Sequence, residues 1–162
     1  MTTALELYRL YFRDILETDG LQRVSNCSAD HAAVLNAELI RSATVSVDVY
    51  CHRLSSDIWG RPEIVEEVAA ARARGVRFRV VVQEFSREDI AASAFQFLGD
   101  SVRMWSSPNM TANFLIRDGK SFRFEPDFHV RKGFAYANND LLSGKLVNVF
   151  EGIYKAASQV AA

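Results

Sequence analysis

Proline, glycine and cysteine are all scarce in this chain of 162 residues, which has 3, 8 and 2 of them. So little proline and glycine, with no periodic placement, excludes collagen-like and low-complexity architectures. Two cysteines, Cys27 and Cys51, are too few for a disulfide framework, and no CxxC pair exists. They read as reduced thiols, which predicts a cytoplasmic setting. No apolar run reaches 18 residues, so no membrane span is expected. The first 21 residues carry Glu6, Arg9, Arg13, Asp14, Glu17 and Asp19, which breaks any signal-peptide core. Charge of one sign is also missing. The net charge is -1, so there is no global basic field for nucleic acid or anionic lipid, and such binding needs a local patch.

What is present is ordinary globular composition, 49% apolar and 24% charged, enough for one cored domain without staples. Leu5, Tyr8, Phe12, Ile15 and Leu16 recur at helical spacing, and Leu7, Leu10 and Tyr11 add a second apolar face. A helix apolar on two faces is buried or sits at an interface. Gly20 closes it. Ser28 reads as the N-cap of a second helix carrying Val34, Leu35, Leu39 and Ile40. Residues 44–50 (TVSVDVY) alternate as a strand, and a polar loop runs from Cys51 to Gly60. Pro62 and Gly75 bracket the next helix. Residues 76–83 (VRFRVVVQ) turn continuously apolar, as a central parallel strand does. Ser86 caps a helix whose core face holds Ile90, Ala94, Phe95 and Leu98, and residues 102–105 form a short strand. Asp118-Gly119 is a two-residue hairpin turn between Asn113–Ile116 and Lys120–Phe124. A strand over Gly133–Ala137 and a last helix capped at Asn138 or Asn139 complete the order. This alternation predicts an α/β fold: a mixed, mostly parallel sheet with helices on both faces and a β-hairpin near residues 113–124.

Residues 34–50 (VLNAELIRSATVSVDVY), followed by a helix ending in residues 71–82 (ARARGVRFRVVV), resemble the phospholipase D-like superfamily. There a helix feeds a strand A-x-x-x-V-x-I, and a second helix ends A-x-x-R-G-V-x-V-x-V. The resemblance covers roughly residues 30–155. It divides the chain into an N-terminal helix over 1–25, packed on the domain or at a dimer interface, and a phospholipase D-like domain over 26–162. The family signature is His-x-Lys-x4-Asp, with Gly-Ser a few residues later. This chain reads Thr111-x-Asn113-x4-Asp118 at that spacing, and Glu125-Pro126 where Gly-Ser would fall. The family mechanism uses a histidine nucleophile, a second histidine as acid and a lysine on the phosphoryl oxygens. Thr111 without a base is a poor nucleophile, and Asn113 carries no charge. The resemblance therefore implies a catalytically degenerate domain acting as a binding, regulatory or interaction subunit. It also implies a homodimer or pairing with a related chain, and a nucleic-acid or other phosphate-containing ligand.

Ordinary explanations compete at each residue. Asp118 is accounted for by turn chemistry. The histidines His31, His52 and His129 lack metal-ligand spacing, so neither metal nor cofactor is expected. His52, just after the first strand, and His129 are the histidines placed to reach a cleft beyond the strand ends. Arg72, Arg74, Arg77 and Arg79 lie among Glu63, Glu66, Glu67 and Glu84 and read as a solvated face. Arg117, Lys120, Arg123, Arg131 and Lys132 form a second cluster, five cations against Asp118, Glu125 and Asp127. That permits a local phosphate contact. Ligand-binding candidates are therefore His52, Arg117, Arg123, His129, Arg131 and Lys132. Phe122, Phe124, Phe128 and Phe134 offer a base-stacking platform, with core packing as the simpler reading. No Gly-rich phosphate loop or Gly-x-Ser-x-Gly elbow is present. The alternative function is a nuclease or phosphodiesterase using His52 or His129 with Glu125 and Asp118, whose carboxylates would recruit a divalent metal.

Overall fold

A computed structural model describes residues 1–159. The last three residues of the expected 26–162 unit lie outside the described residues. The helices are α1 (Ala4–Thr18), α2 (Ala29–Ser42), α3 (Ser56–Trp59), α4 (Pro62–Ala73), α5 (Arg87–Ala91) and α6 (Asp140–Ala156). The strands are β1 (Arg23–Asn26), β2 (Ser46–Cys51), β3 (Arg77–Val82), β4 (Arg103–Met104), β5 (Asn113–Arg117), β6 (Ser121–Asp127), β7 (Lys132–Tyr136) and β8 (Ser158–Gln159). They form one sheet of 8 strands in the order β1-β7-β6-β5-β2-β3-β4-β8.

The sheet is mixed, as expected, but its balance differs from the mostly parallel expectation. Among the described residues, β2–β3 and β3–β4 alone pair in parallel. The β1–β7, β2–β5, β4–β8, β5–β6 and β6–β7 pairs are antiparallel. Parallel neighbours need a crossover helix, and only α4 and the segment before β4 supply one. After β4 the chain adds the antiparallel β5–β6 and β6–β7 pairs through short turns, and β5 lies beside β2 in the opposite sense.

The caps explain where helices begin. The side chains of Ser28, Ser86 and Asn139 accept from the N–H groups of His31, Asp89 and Leu142. Pro62 sits at the start of α4, where no intrahelical donor is needed. The expected helix through Leu98 breaks after Ala91. The Ser93 hydroxyl donates to the Ile90 carbonyl and accepts from Phe95 N–H, and residues Gln96–Ser101 continue as a 3-10 turn.

Helices cover both sheet faces, giving two cores. On the first face Phe12, Ile15 and Leu16 of α1, Leu35 and Leu39 of α2 and Val68 of α4 pack against Val47, Val49 and Val80. On the second, Leu146, Phe150 and Ile153 of α6 pack against Tyr50, Phe114, Ile116 and Phe122. Strand β2 is therefore buried at every residue. Its polar member Asp48 is held by two bonds from Arg79, 2.8 and 2.9 Å, and Arg79 also reaches Glu151 of α6 at 2.6 Å. The α1 helix is tied to α2 by Arg13, which donates to both oxygens of the buried Glu38 at 3.0 and 2.6 Å. Its second apolar face, Leu7, Leu10 and Tyr11, is exposed.

Candidate functional site

A cavity of about 630 Å³ opens beyond the C-terminal end of β2. Its walls come from the first half of α2, the end of β2 and the loop after it, Asp89 of α5, the first three residues of β5, the outer half of β6 and the loop before β7. This is where the loops of a parallel α/β unit place ligands. The alternation Phe122-Arg123-Phe124 turns the two rings away from the Arg123 side chain, which faces this cavity.

Arg123 is the centre of the wall. It is 5% exposed, and donates from Nε to Asn26 Oδ1 at 3.1 Å and from Nη2 to Glu125 Oε1 at 2.9 Å. Burial pulls its guanidinium below the ordinary value, against Glu125, which favours the charge. The second Glu125 oxygen accepts from Asn113 Nδ2 at 2.7 Å, and Asn113 Oδ1 accepts the His52 backbone N–H at 2.7 Å. One connected polar network thus runs from β1 through β6 and β5 to the loop after β2.

The remaining cations of the cavity are also matched. Arg53 pairs with Asp89 at 3.0 Å and Arg131 with Asp57 at 2.8 Å. Burial alone would raise the Asp57 carboxyl, but hydrogen bonds from Ser55 and Arg131 hold it below its ordinary value. Three cations therefore face three carboxylates, and the cavity has no unbalanced positive field. His52 stacks on Phe128 with ring centroids 3.9 Å apart, and its Nδ1 lies 3.2 Å from Gln83 Oε1. His129 leans on the same Phe128 ring at 4.2 Å. On the α2 side Asn36 is 1% exposed and its amide makes no hydrogen bond within the described residues, with Oδ1 fully enclosed. Neither Asn36 nor Asn26 stood out in the sequence, because an asparagine on a helix or strand carries no motif.

The signature positions separate. Asn113 lines the cavity. Thr111 is exposed outside the lining, and its hydroxyl donates to the Pro126 carbonyl at 2.8 Å. Asp118 lies at the far end of β5, roughly 15 Å along the strand from Asn113. There its carboxylate accepts from the N–H groups of Thr44, Val45 and Ser46 at 2.8–3.2 Å, and from the Thr44 hydroxyl at 3.1 Å. These bonds also explain why β2 begins at Ser46 rather than Thr44. Asp118 and Gly119 have φ of 53° and 66°, as the Asp-Gly turn demands.

Of the six ligand-binding candidates, His52, Arg123, His129 and Arg131 meet in the cavity. Arg117 does not: it is half-buried at the other end of β5, where it donates to Ser42 and Ser121. Lys132 lies on a separate pocket. Lys120 pairs with Asp19 at 2.6 Å. The five basic residues therefore do not form one patch. Of the four phenylalanines, Phe122, Phe124 and Phe134 belong to the second core, and Phe128 alone lines the cavity. In the other basic run, Arg74 donates to the carbonyls of Ile40, Arg41 and Ala43, and Arg72 stacks on Phe97 at 3.7 Å. Among the described residues no group of three His, Cys, Asp or Glu side chains is arranged to hold a metal. No helix among them is long and apolar enough to cross a membrane.

No family model and no curated protein sequence matches the chain. Solved structures do. Nuc from Salmonella typhimurium, a phospholipase D family member, superposes with TM-score 0.62 at 16% identity, covering 88% of this chain and 99% of that one. NucT from Helicobacter pylori gives TM-score 0.66 at 12% identity, covering 86% of this chain and 99% of that one. TrmBL2, an archaeal chromatin protein with a novel mode of DNA binding, gives TM-score 0.66 at 13% identity, and the match spans 96% of this chain and 64% of that one. The mixed sheet between two helix layers, with its hairpin and its cavity at the end of β2, is the phospholipase D-like fold.

Proposed function

We propose that this chain is a phospholipase D-like binding domain that has lost the family's phosphoryl chemistry and serves as a binding or regulatory subunit. One observation carries the reading. Asn113, at the position of the signature lysine, has both ends of its amide engaged, by Glu125 and by the His52 backbone. It cannot reach a phosphoryl oxygen without breaking the network, and Thr111 has no base beside its hydroxyl. The cavity suits a polar ligand of low net charge, since its cations are already matched and the Asn36 amide lacks a partner. The test is hydrolysis of single- and double-stranded DNA, RNA and bis(p-nitrophenyl) phosphate, each with Mg, Mn or EDTA. No turnover is expected. Turnover lost on His52→Ala would remove the proposal.

That last outcome belongs to a second reading, a phosphodiesterase with unusual residues. It is favoured by the two imidazoles of His52 and His129, which both contact the Phe128 ring. His52 Nδ1 lies 3.2 Å from Gln83 Oε1 and its Nε2 lies 3.8 Å from Glu84 Oε1, so the ring is held between two oxygens.

The proposal includes self-pairing or pairing with a related chain, and treats residues 1–25 as an extension that takes part in it. Leu7, Leu10 and Tyr11, exposed by 58, 45 and 52%, support this. Light scattering at micromolar concentration should give a dimer, converted to monomer by Leu10→Asp. A monomer at all concentrations would remove this part. Nucleic acid is a further ligand class under the proposal, supported by the likeness to DNA-binding TrmBL2. Its signature would be affinity falling steeply with salt. Cytoplasmic residence is supported by the exposed, unpaired Cys27.

A further inference from the structure

Asn26 separates the cavity from a second pocket of about 460 Å³, at the edge of the sheet where β1 meets β7 and α1 crosses α2. The two differ in charge. The second pocket is lined by Arg23, Lys132 and His31, with Tyr8 and Phe134 as its aromatic surfaces, and no carboxylate lines it. Neither Arg23 nor Lys132 makes an ion pair among the described residues. The Arg23 guanidinium lies over the Phe134 ring at 4.1 Å, which orients it without neutralising it.

The pocket also holds an unanswered donor. Asn26 is 5% exposed and lines this pocket rather than the cavity. Its Oδ1 accepts from Arg123 Nε at 3.1 Å, which assigns the amide orientation. Nδ2 is then left enclosed with no acceptor. His31 Nδ1 is engaged by the Ser28 hydroxyl at 2.6 Å, so Nε2 is the nitrogen left for a ligand. Tyr8 stands edge-on to that ring at 4.5 Å, and its hydroxyl donates to the Ser25 carbonyl at 2.9 Å. Burial raises the Tyr8 phenol to about 12, so it adds no negative charge here.

We infer that this pocket is an anion site distinct from the cavity, taking a small organic phosphate with a flat apolar body. The phosphoryl group would sit between Arg23 and Lys132, within reach of Asn26 Nδ2, and the body would lie against Tyr8 and Phe134. A small molecule fits better than a nucleic-acid backbone. A backbone needs a track of free cations, and Lys120, Arg53 and Arg131 are each held by a carboxylate. The inference is independent of the cavity's ligand.

The test is calorimetric titration of the full chain at low salt with inorganic phosphate, adenosine, adenosine 5′-monophosphate and a twelve-nucleotide single strand. The expected result is that the monophosphate binds at least tenfold tighter than adenosine and is displaced by inorganic phosphate. Arg23→Gln/Lys132→Gln should lower its affinity at least tenfold, while Asn36→Leu in the cavity leaves it unchanged. Both charged residues are exposed, so the double variant should keep the wild-type melting temperature. Equal binding of adenosine and its monophosphate, no binding at millimolar concentration, or loss on Asn36→Leu instead would overturn the inference. So would a single strand binding far more tightly than the mononucleotide through Arg23 and Lys132, which would make the site a nucleic-acid contact.

Discussion

The amide of Asn113 donates to the carboxylate of Glu125 across the β5–β6 pair at 2.7 Å. The two residues are Cα partners in the ladder, so the bond is a cross-strand contact at the mouth of the cavity. It holds Glu125 in place for Arg123, and the other end of the same amide holds the loop carrying His52. A position where the family resemblance expects a charge on substrate has become part of the wall.

Removing that amide leaves a buried carboxylate with one partner fewer and the His52 N–H without its acceptor. Asn113→Ala should therefore cost about 2–3 kcal/mol, as loss of a hydrogen bond to a charged buried group does. Urea unfolding monitored by fluorescence measures it. A change below about 0.5 kcal/mol would mean that water replaces both contacts.

The Arg123–Glu125 pair is enclosed, at 5 and 6% exposure. Arg123→Met alone strands the carboxylate and should destabilise by about 3–5 kcal/mol, whereas Arg123→Met with Glu125→Leu should recover much of the loss. A double-mutant cycle reads the coupling. Additive single effects would show that the ion pair contributes no coupling to the wall.

Asp118 makes stability depend on pH. Burial pushes its carboxyl up, but the N–H groups of Ser46, Val45 and Thr44 with the Thr44 hydroxyl outweigh burial and hold it below its ordinary value. A carboxyl depressed on folding contributes stability that is complete above the unfolded value near 4 and is lost as pH falls through the folded value. Asp118→Asn keeps a residue tolerant of positive φ and removes the charge. The variant should be less stable than wild type at pH 7, with the gap closing in acid. Chemical denaturation at pH 7 and pH 3 tests this, and a gap that stays constant would assign Asp118 to turn geometry alone.

Gly133 faces Asn26 across the β1–β7 pair. A Cβ there would lie 2.7 Å from the Phe124 carbonyl oxygen and 3.2 Å from Asn26 Oδ1. Gly133→Ala should cost about 1–3 kcal/mol through overpacking. Because Asn26 Oδ1 must shift, it should also loosen Arg123 and weaken binding in the second pocket. Thermal melts and the phosphate titration check both effects.

Much of the local structure was legible because its causes are local. Ser28, Ser86 and Asn139 bond to backbone within three residues, and Asp118-Gly119 adopts the backbone that dipeptide favours. The apolar stripes of α1, α2 and α6 named their buried faces. Strand β1, by contrast, reads RVSN, too short and polar to signal a strand, and forms because β7 offers it an edge. The 3-10 turn after α5 depends on one serine hydroxyl competing with the helix.

The candidate site divides in the same way. The spacing from Thr111 to Asp118 was readable, and so was the placement of Arg123 opposite Phe122 and Phe124, because strand periodicity is two. Whether that opposite side met water or a cavity wall was not. Local pattern alone was enough for α1, α2, α4 and α6, for the hairpin, and for the replacement of the signature nucleophile and cation by Thr111 and Asn113. Tertiary structure alone decided that Asp118 clamps the start of β2 while Asn113 lines the cavity. It alone matched Arg53, Arg123 and Arg131 with acids and, among the described residues, left Arg23 and Lys132 without them. Charge pairing depends on distances between residues far apart in sequence, 74 positions for Arg131 and Asp57, and no local pattern encodes such distances.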